Sequence, residues 1–484
     1  MIIENKNNKF YNNLLKGNFY LIFAQIIFLI SGYVIHIALA HSVNPVEYGR
    51  FGIILSILMI TNTILGRGVP EAASKYIAEG YNYSNVKKEA LKIQSVLCFI
   101  IFIVLLLISY PLSILLNDEK MLIYIIILSF ILPLRAFLNL FKGILFGLEK
   151  FKKGANLIIL NSLPRIGFVF LLILLGLGVL GAILGYLFAS LLAVIVGVLY
   201  INIKRYEGKK LNKNIFIYSY PVILFSVILM LILNLDTLYV KALFSNSPIS
   251  GYYVSAKTIS IIPFSILSAF SMTILPLISR SDSDGNKNLT KFYIRESYRY
   301  LFLVFSIIIL IVTLAPNFIL TLLYPQSYSE ASIPLAILIF GTIFLTIFYF
   351  ISYSINAIEK TIIPTIILLL IFPLYIISNY ILIPIYGMIG ASISFTAVSF
   401  IYMIIGLIFQ YKYFRTIFKF ISTIKIIFSL SFAYVCGYYM LITGINIFLI
   451  LFFSLLIYIV LLFLIKELTN RDIESIILIF RKKK

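Results

Sequence analysis

The sequence predicts an all-α polytopic integral membrane protein of about 14 transmembrane helices: two parallel six-helix lobes around a central cavity, plus two C-terminal helices. Three observations predict it. Of 484 residues, 62% are hydrophobic and only 12% charged, where soluble domains carry roughly 45–50% and about 25%. The apolar residues gather into runs near the 20 or so that a helix needs to cross about 30 Å of hydrocarbon. Lysine and arginine fall almost entirely on alternate loops, as the positive-inside rule requires.

Such a composition excludes a soluble enzyme, a nucleic-acid-binding module and a disulfide scaffold. Cys98 and Cys436 both sit inside apolar runs, and His36 and His41 are too few for a zinc site, so neither a metal nor any other cofactor is expected.

The runs cover approximately 19–40, 51–67, 93–116, 121–147, 155–177, 179–202, 215–240, 250–278, 300–323, 332–357, 362–384, 387–411, 424–442 and 446–465. Ala38-Leu39-Ala40 resembles a signal-peptidase site, but the stretch before it is too long for a signal peptide and the repeat below needs it, so it is expected to be retained. With the N-terminus in the cytoplasm, 32 of the 39 lysines and arginines lie on the cytoplasmic side. Three lie opposite (Arg50, Lys120 and Lys241), and four fall inside spans (Arg135, Lys142, Arg165 and Lys257). The net charge of +21 is therefore mostly topology and attraction to the lipid surface, not a nucleic-acid footprint. Both termini are expected in the cytoplasm of a multi-pass cell-membrane protein. Ile473, Ile476, Ile477 and Phe480 recur at helical spacing before three terminal lysines, which predicts an interfacial helix.

An internal repeat organises the spans. Pro45 and Gly49 match Pro248 and Gly251; Pro70 and Gly80 match Pro276 and Gly285. Leu148-Glu149-Lys150 matches Ile358-Glu359-Lys360, and Gly178-Val-Leu-Gly181-Ala182 matches Gly387-Met-Ile-Gly390-Ala391. The shared order and near-constant offset predict a six-helix duplication. An even span number per copy makes the copies parallel, the layout of alternating-access transporters. The expected organisation is an N-terminal lobe over 1–203, a basic linker over 204–213, a C-terminal lobe over 214–411, two further helices over 412–466 and an amphipathic tail over 467–484. Gly176-Leu-Gly178-Val-Leu-Gly181 fits GxGxxG but follows no strand, so its glycines are read as turn and packing residues rather than a dinucleotide site. External loops are short and carry no plausible carboxylate or metal site, which argues against a membrane glycosyltransferase or polymerase; the chain is read as a non-enzyme.

Charges within spans point to the site. Arg135 and Arg165 lie near mid-span, where a charge costs about 2.5–3.5 kcal/mol on insertion scales, and no acid lies in any span of the first lobe. Arg135, Asn139 and Lys142 share one helical face; Asn161 and Arg165 form a second edge. The arginines either face an anionic ligand or bond to carbonyls, and Lys142 either joins them or snorkels to the cytoplasmic rim. Guanidinium groups pair bidentately with phosphate oxygens, so the cavity suits a diphosphate and disfavours organic cations. Asp236, the only acid inside any span, is read either as the partner of Lys257 in an outer gate or as an ion-coupling carboxylate. His36, with Gln25 on its face, is read as a satisfied buried imidazole.

At these residues the chain resembles the polysaccharide (O-antigen-type) flippase family of the multidrug/oligosaccharidyl-lipid/polysaccharide exporter superfamily. The likeness rests on Pro45-Val-Glu-Tyr-Gly49 with Gly66-Arg-Gly-Val-Pro70, on Gly143-Ile-Leu-Phe-Gly147-Leu-Glu-Lys150, and on Asp236 with Gly251-Tyr-Tyr253 and Ala256. Pro276-Leu-Ile-Ser-Arg280 and Leu323-Tyr-Pro-Gln-Ser-Tyr328 extend it. The resemblance implies translocation of a polyprenyl-diphosphate-linked oligosaccharide from the inner to the outer leaflet for surface glycan assembly. Arg135, Arg165 and Lys142 would then hold the phosphates. Membrane lipids and polysaccharide-assembly enzymes are the further partners implied, and nucleic acid is not. A peptidoglycan-precursor flippase is the alternative within the superfamily, ahead of a multidrug antiporter.

Overall fold

The computed structural model describes residues 2–202, 209, 215–469 and 472. Hydrocarbon offers no partner to a free backbone group, so a chain that crosses it repeatedly must do so as helices. Among the described residues thirteen helices are long and apolar enough to cross a membrane.

The chain divides into two compact units, Met1–Val254 and Ser255–Lys484. The first holds α1 (Ile2–Ser42), α2 (Pro45–Gly66), α3 (Val69–Ala78), α4 (Tyr83–Leu115), α5 (Lys120–Gly147), α6 (Phe151–Leu174), α7 (Gly178–Ile201) and α8 (Ile215–Leu243). Asn44 caps α2 by accepting the Glu47 backbone N–H at 2.9 Å, with Pro45 preset in the first turn. At the other end Gly68 (φ +75°) breaks α2 from α3. Helix α5 is central, packing on α2, α3, α4 and α7, while α1 lies on α6 and α6 on α7. Gly143 and Gly147, one turn apart on α5, let it approach α3 until only backbone separates them: a Cβ on Gly147 would stand 2.6 Å from the Ser74 carbonyl oxygen, and one on Gly143 would collide with that of Pro70. Two stretches that look like separate motifs along the chain are thus one contact. Helix α8, which the repeat assigns to the second copy, packs on α2 inside this unit.

Helix α9 (Ile249–Ser260) runs across the division between the units. The second unit continues with α10 (Ile262–Ser283), α11 (Lys287–Leu314), α12 (Pro316–Leu323), a 3-10 turn at Gln326–Ala331, α13 (Ser332–Asn356), α14 (Ile362–Phe414), α15 (Phe420–Ile442) and α16 (Ile447–Leu464). Helix α13 packs on α10 and α14, and α11 on α15. After α16 the chain is clasped back onto α11. Arg299 donates to Glu467 Oε1 at 2.9 Å and, through both terminal nitrogens, to Asp472 at 2.8 and 3.0 Å. These bonds hold the Asp472 carboxyl down at about 2, so it stays ionised well into acid.

At 53 residues α14 would be about 80 Å long if straight, far more than one crossing. It is a hairpin. Gly387 has φ +58° and ψ −135°, conformational space that only glycine occupies comfortably. Ser378 and Ser394 hydroxyls lie 2.5 Å apart across it, and Tyr402 donates to the Leu368 carbonyl at 3.0 Å. With α14 counted as two, the described residues hold fourteen segments long and apolar enough to cross a membrane, in agreement with the runs read from the sequence.

The repeat carries a backbone signature. Gly80 and Gly285 have φ +82° and +71°, Glu149 and Glu359 +57° and +63°, and Gly178 and Gly387 +50° and +58°. Three matched pairs thus share the left-handed conformation that ends a helix or turns a hairpin. The two glutamates are the more telling, because a side chain there is strained. Of the expected linker over 204–213 only Lys209 is described, forming a short bridge with Tyr81; the predicted interfacial helix lies outside the described residues.

Replacing Gly387 with alanine should destabilise the fold by about 1–3 kcal/mol, whereas Gly167→Ala, in open space at ordinary φ, should not. Thermal unfolding of the two purified variants in one detergent checks this.

Candidate functional site

Inside the first unit, α5, α6 and α7 bring two of the predicted cations onto one aromatic ring. The Arg165 guanidinium carbon lies 4.8 Å from the Tyr186 ring centre, and that of Arg135 lies 5.9 Å from the same ring. Phe28 of α1 faces Arg165 from another side at 5.3 Å. Aromatic faces carry negative quadrupole density, so they soften the burial of a cation without neutralising it. Arg165 is only 3% exposed. One terminal nitrogen donates to Ser31 Oγ at 2.5 Å, and its Nε has no hydrogen-bond partner among the described residues. Among the described residues neither arginine forms an ion pair. A carbonyl-bonded structural arginine would look different, because its donors would be spent on backbone oxygens.

Polar and aromatic groups surround the pair. Ser190 donates to Asn161 Oδ1 at 3.3 Å one turn below Arg165, and Asn139 donates to Asn62 Oδ1 at 3.3 Å one turn from Arg135. His36 shares a 2.9 Å hydrogen bond with the Tyr48 hydroxyl and stands edge-on to Phe51, which in turn meets Tyr186. The imidazole is therefore satisfied, as expected, and helps wall the site. Lys142 is half-buried two turns from Arg135 on the same helix, about 10 Å toward its C-terminal end. It continues the stripe but does not join the ring stack.

Asp236 is fully buried on α8. Its Oδ2 accepts the Tyr253 hydroxyl at 2.6 Å, and its Oδ1 accepts the Thr237 backbone N–H at 2.8 Å. Lys257, in the second unit, has its ammonium 3.4 Å from the ring centre of Phe395. Tyr253 as a ligand of Asp236 and Phe395 as a seat for Lys257 were not foreseen. Among the described residues no group of three His, Cys, Asp or Glu side chains is arranged to hold a metal ion.

Tyr186, Phe28 and Ser31 were likewise missed by sequence reasoning. An aromatic hydroxyl inside an aliphatic span was the available signal for Tyr186. Nothing in the chain order joins it to a residue of α1.

The family model described as polysaccharide biosynthesis protein matches residues 14–282, more than half of the chain. The chain belongs to that family. A second model, MatE, matches residues 221–381. No curated protein sequence matches the chain. Among solved structures, the lipid II flippase MurJ in an inward closed conformation aligns with a TM-score of 0.72 at 16% identity, over 92% of this chain and 98% of that one. An inward-facing multidrug resistance MATE family transporter aligns at 0.70 and 14%, over 79% and 94%. A MOP superfamily transporter from Pyrococcus furiosus, described as having a binding pocket of reversed polarity, aligns at 0.63 and 15%, over 83% and 96%. The fold is that of the MOP superfamily transporters.

A buried cation kept for ligand binding destabilises the empty protein. Arg165→Met should therefore raise the midpoint of thermal unfolding. A fall of more than a few degrees would mean that Arg165 is a structural anchor and not a binding group.

Proposed function

We propose that this family member is a flippase that carries a polyprenyl-diphosphate-linked oligosaccharide from the cytoplasmic to the outer leaflet of the cell membrane by alternating access. The observation that carries this reading is the pair Arg135 and Arg165 on one face-shared tyrosine, with no counter-acid and no partner for Arg165 Nε among the described residues. A site of this kind is incomplete until an anion fills it. A diphosphate presents several oxygens to two planar donors, and bonds between charged partners contribute about 1.5–3 kcal/mol each. Lys142, nearer the cytoplasmic end, would meet the headgroup first and hand it inward. The lipid tail stays in the bilayer throughout.

Other features support the same reading. The duplicated helix set suits two lobes rocking about a central site. Asn161, Asn139 and Tyr186 offer hydrogen bonds and a stacking face to sugar. Asp236, buried and bonded to Tyr253, is the group on which a coupling ion or proton would act. Membrane lipids are necessary partners, and polysaccharide-assembly enzymes would supply and consume the substrate. The likeness to a lipid II flippase makes a peptidoglycan precursor the second reading; it presents the same diphosphate to the same arginines. A multidrug antiporter would need carboxylates for cations, and the first six spans have none.

The test is transbilayer movement of a fluorescent polyprenyl-diphosphate oligosaccharide in proteoliposomes. Wild type should move it, and Arg135→Ala/Arg165→Ala should lose at least about tenfold in rate. Arg165→Lys should recover little, because an ammonium cannot reproduce the guanidinium fork. Undiminished movement in the double variant would discard the site. Movement of a lipid II analogue but not of other glycans would select the second reading.

A further inference from the structure

The positive-inside pattern has three exceptions, Arg50, Lys120 and Lys241, and the fold gathers all three. Arg50 Nε donates to Asp118 Oδ2 at 2.6 Å, and Lys241 Nζ donates to the same oxygen at 2.6 Å. Arg50 also reaches Glu47 at 2.5 Å, which accepts from Lys120 at 2.9 Å. Lys241 further donates to the Ser245 carbonyl, and the Asn117 side chain donates to that of Ala242 at 2.9 Å. The inner members are dry, with side-chain exposure of 2% for Asp118 and 0% for Lys241, while Lys120 at 61% lies on the rim.

Three separate pieces of chain meet here: the first two turns of α2, the turn between α4 and α5, and the last turn of α8. All stand at the end that the charge asymmetry assigns to the outside. By the repeat, α8 opens the second copy, so these bonds tie the first copy to the start of the second. Just beside them the matched positions of the repeat touch each other. A Cβ on Gly49 would stand 2.9 Å from the Gly251 nitrogen, and one on Gly251 would collide with the Pro45 carbonyl. Two backbones in van der Waals contact leave no path for water between them.

A buried ion cluster is a poor way to gain stability compared with apolar packing. It is a good way to make a joint that is directional and all-or-none, because removing one partner leaves the others buried and unpaired. We propose that Asp118, Arg50 and Lys241 form a latch that fastens the ends of α2 and α8 to the turn between α4 and α5 and parts when those helices separate. Burial pushes the Asp118 carboxyl up, but the hydrogen bonds and charges of Arg50 and Lys241 outweigh it and hold the group below the usual carboxylate range. A depressed carboxylate keeps its contribution above its ordinary value near 4 and loses it only in stronger acid. Glu47, Arg50, Lys120, Tyr124 and Lys241 are the charged and titratable groups around it. The latch therefore does not open by titration between about pH 5 and 8; it opens by motion of the helices it joins.

The experiment needs no substrate. Ser250, 1% exposed and set against Gly49, is changed to cysteine in the full chain carrying Cys98→Ser and Cys436→Ser. The protein is reconstituted in liposomes and labelled from outside with a membrane-impermeant maleimide. Labelling should be slow in this parent and faster by at least about tenfold with Asp118→Asn. Arg50→Gln disrupts the cluster from another helix and should do the same, which keeps the test decisive if one variant does not fold. Lys120→Gln should leave the rate unchanged. Equal rates in the parent, Asp118→Asn and Arg50→Gln overturn the latch. So does a Lys120→Gln rate as high as theirs, since surface charge alone would then account for the effect.

Discussion

Hydrocarbon solvates neither a charge nor an unpaired backbone group, and nearly every feature of this protein answers to that fact. Its charges take three forms. Most are cations gathered on one side of the spans, the side that the positive-inside rule assigns to the cytoplasm, where water and anionic headgroups would meet them. A few, such as Arg50 and Lys241 around Asp118, are buried but paired. Arg135 and Arg165 belong to neither group: they are deep, share the Tyr186 ring and, among the described residues, meet no acid. A protein that spends this much on two unneutralised cations has a reason outside itself. Anion carriage supplies one.

The backbone follows the same logic. Turns at membrane depth must be tight and internally bonded, so they fall on the few residues that accept a left-handed backbone. Gly178 and Gly387 turn the two matched hairpins, and Glu149 and Glu359 end the two matched helices. Duplication is thus written twice, once in residue order and once in φ. The contact between Gly49 and Gly251 adds a third instance, because matched positions of a duplicated element can meet only where the symmetry relating them brings them together.

Much of the fold was legible because hydrophobic length and lysine placement are local signals. The run at 424–442 is the helix Phe420–Ile442, and the hairpin at Gly387 separates the runs at 362–384 and 387–411. The site was legible only in part. Arg135 and Arg165 announced themselves by depth and by the lack of acids. Tyr186, Phe28 and Ser31 did not, since a tyrosine or serine in a span is common and its role depends on what faces it. Asp118 was less visible still. In the chain it is one of two adjacent acids in a short loop, and the lysine two residues on is not the one that its Oδ2 binds.

By itself, then, the sequence determined the number of crossings, the side on which the cations collect, the duplication, and the presence of two deep arginines without counter-acids. Each depends on composition over a span or on order along the chain, and survives any arrangement of the helices. Tertiary structure decided which charges meet. It placed both arginines on Tyr186, gave Asp236 to Tyr253, and drew Arg50 and Lys241, almost two hundred residues apart, to one oxygen of Asp118. Electrostatic and ring contacts act over a few ångströms, and only packing brings such distant residues that close.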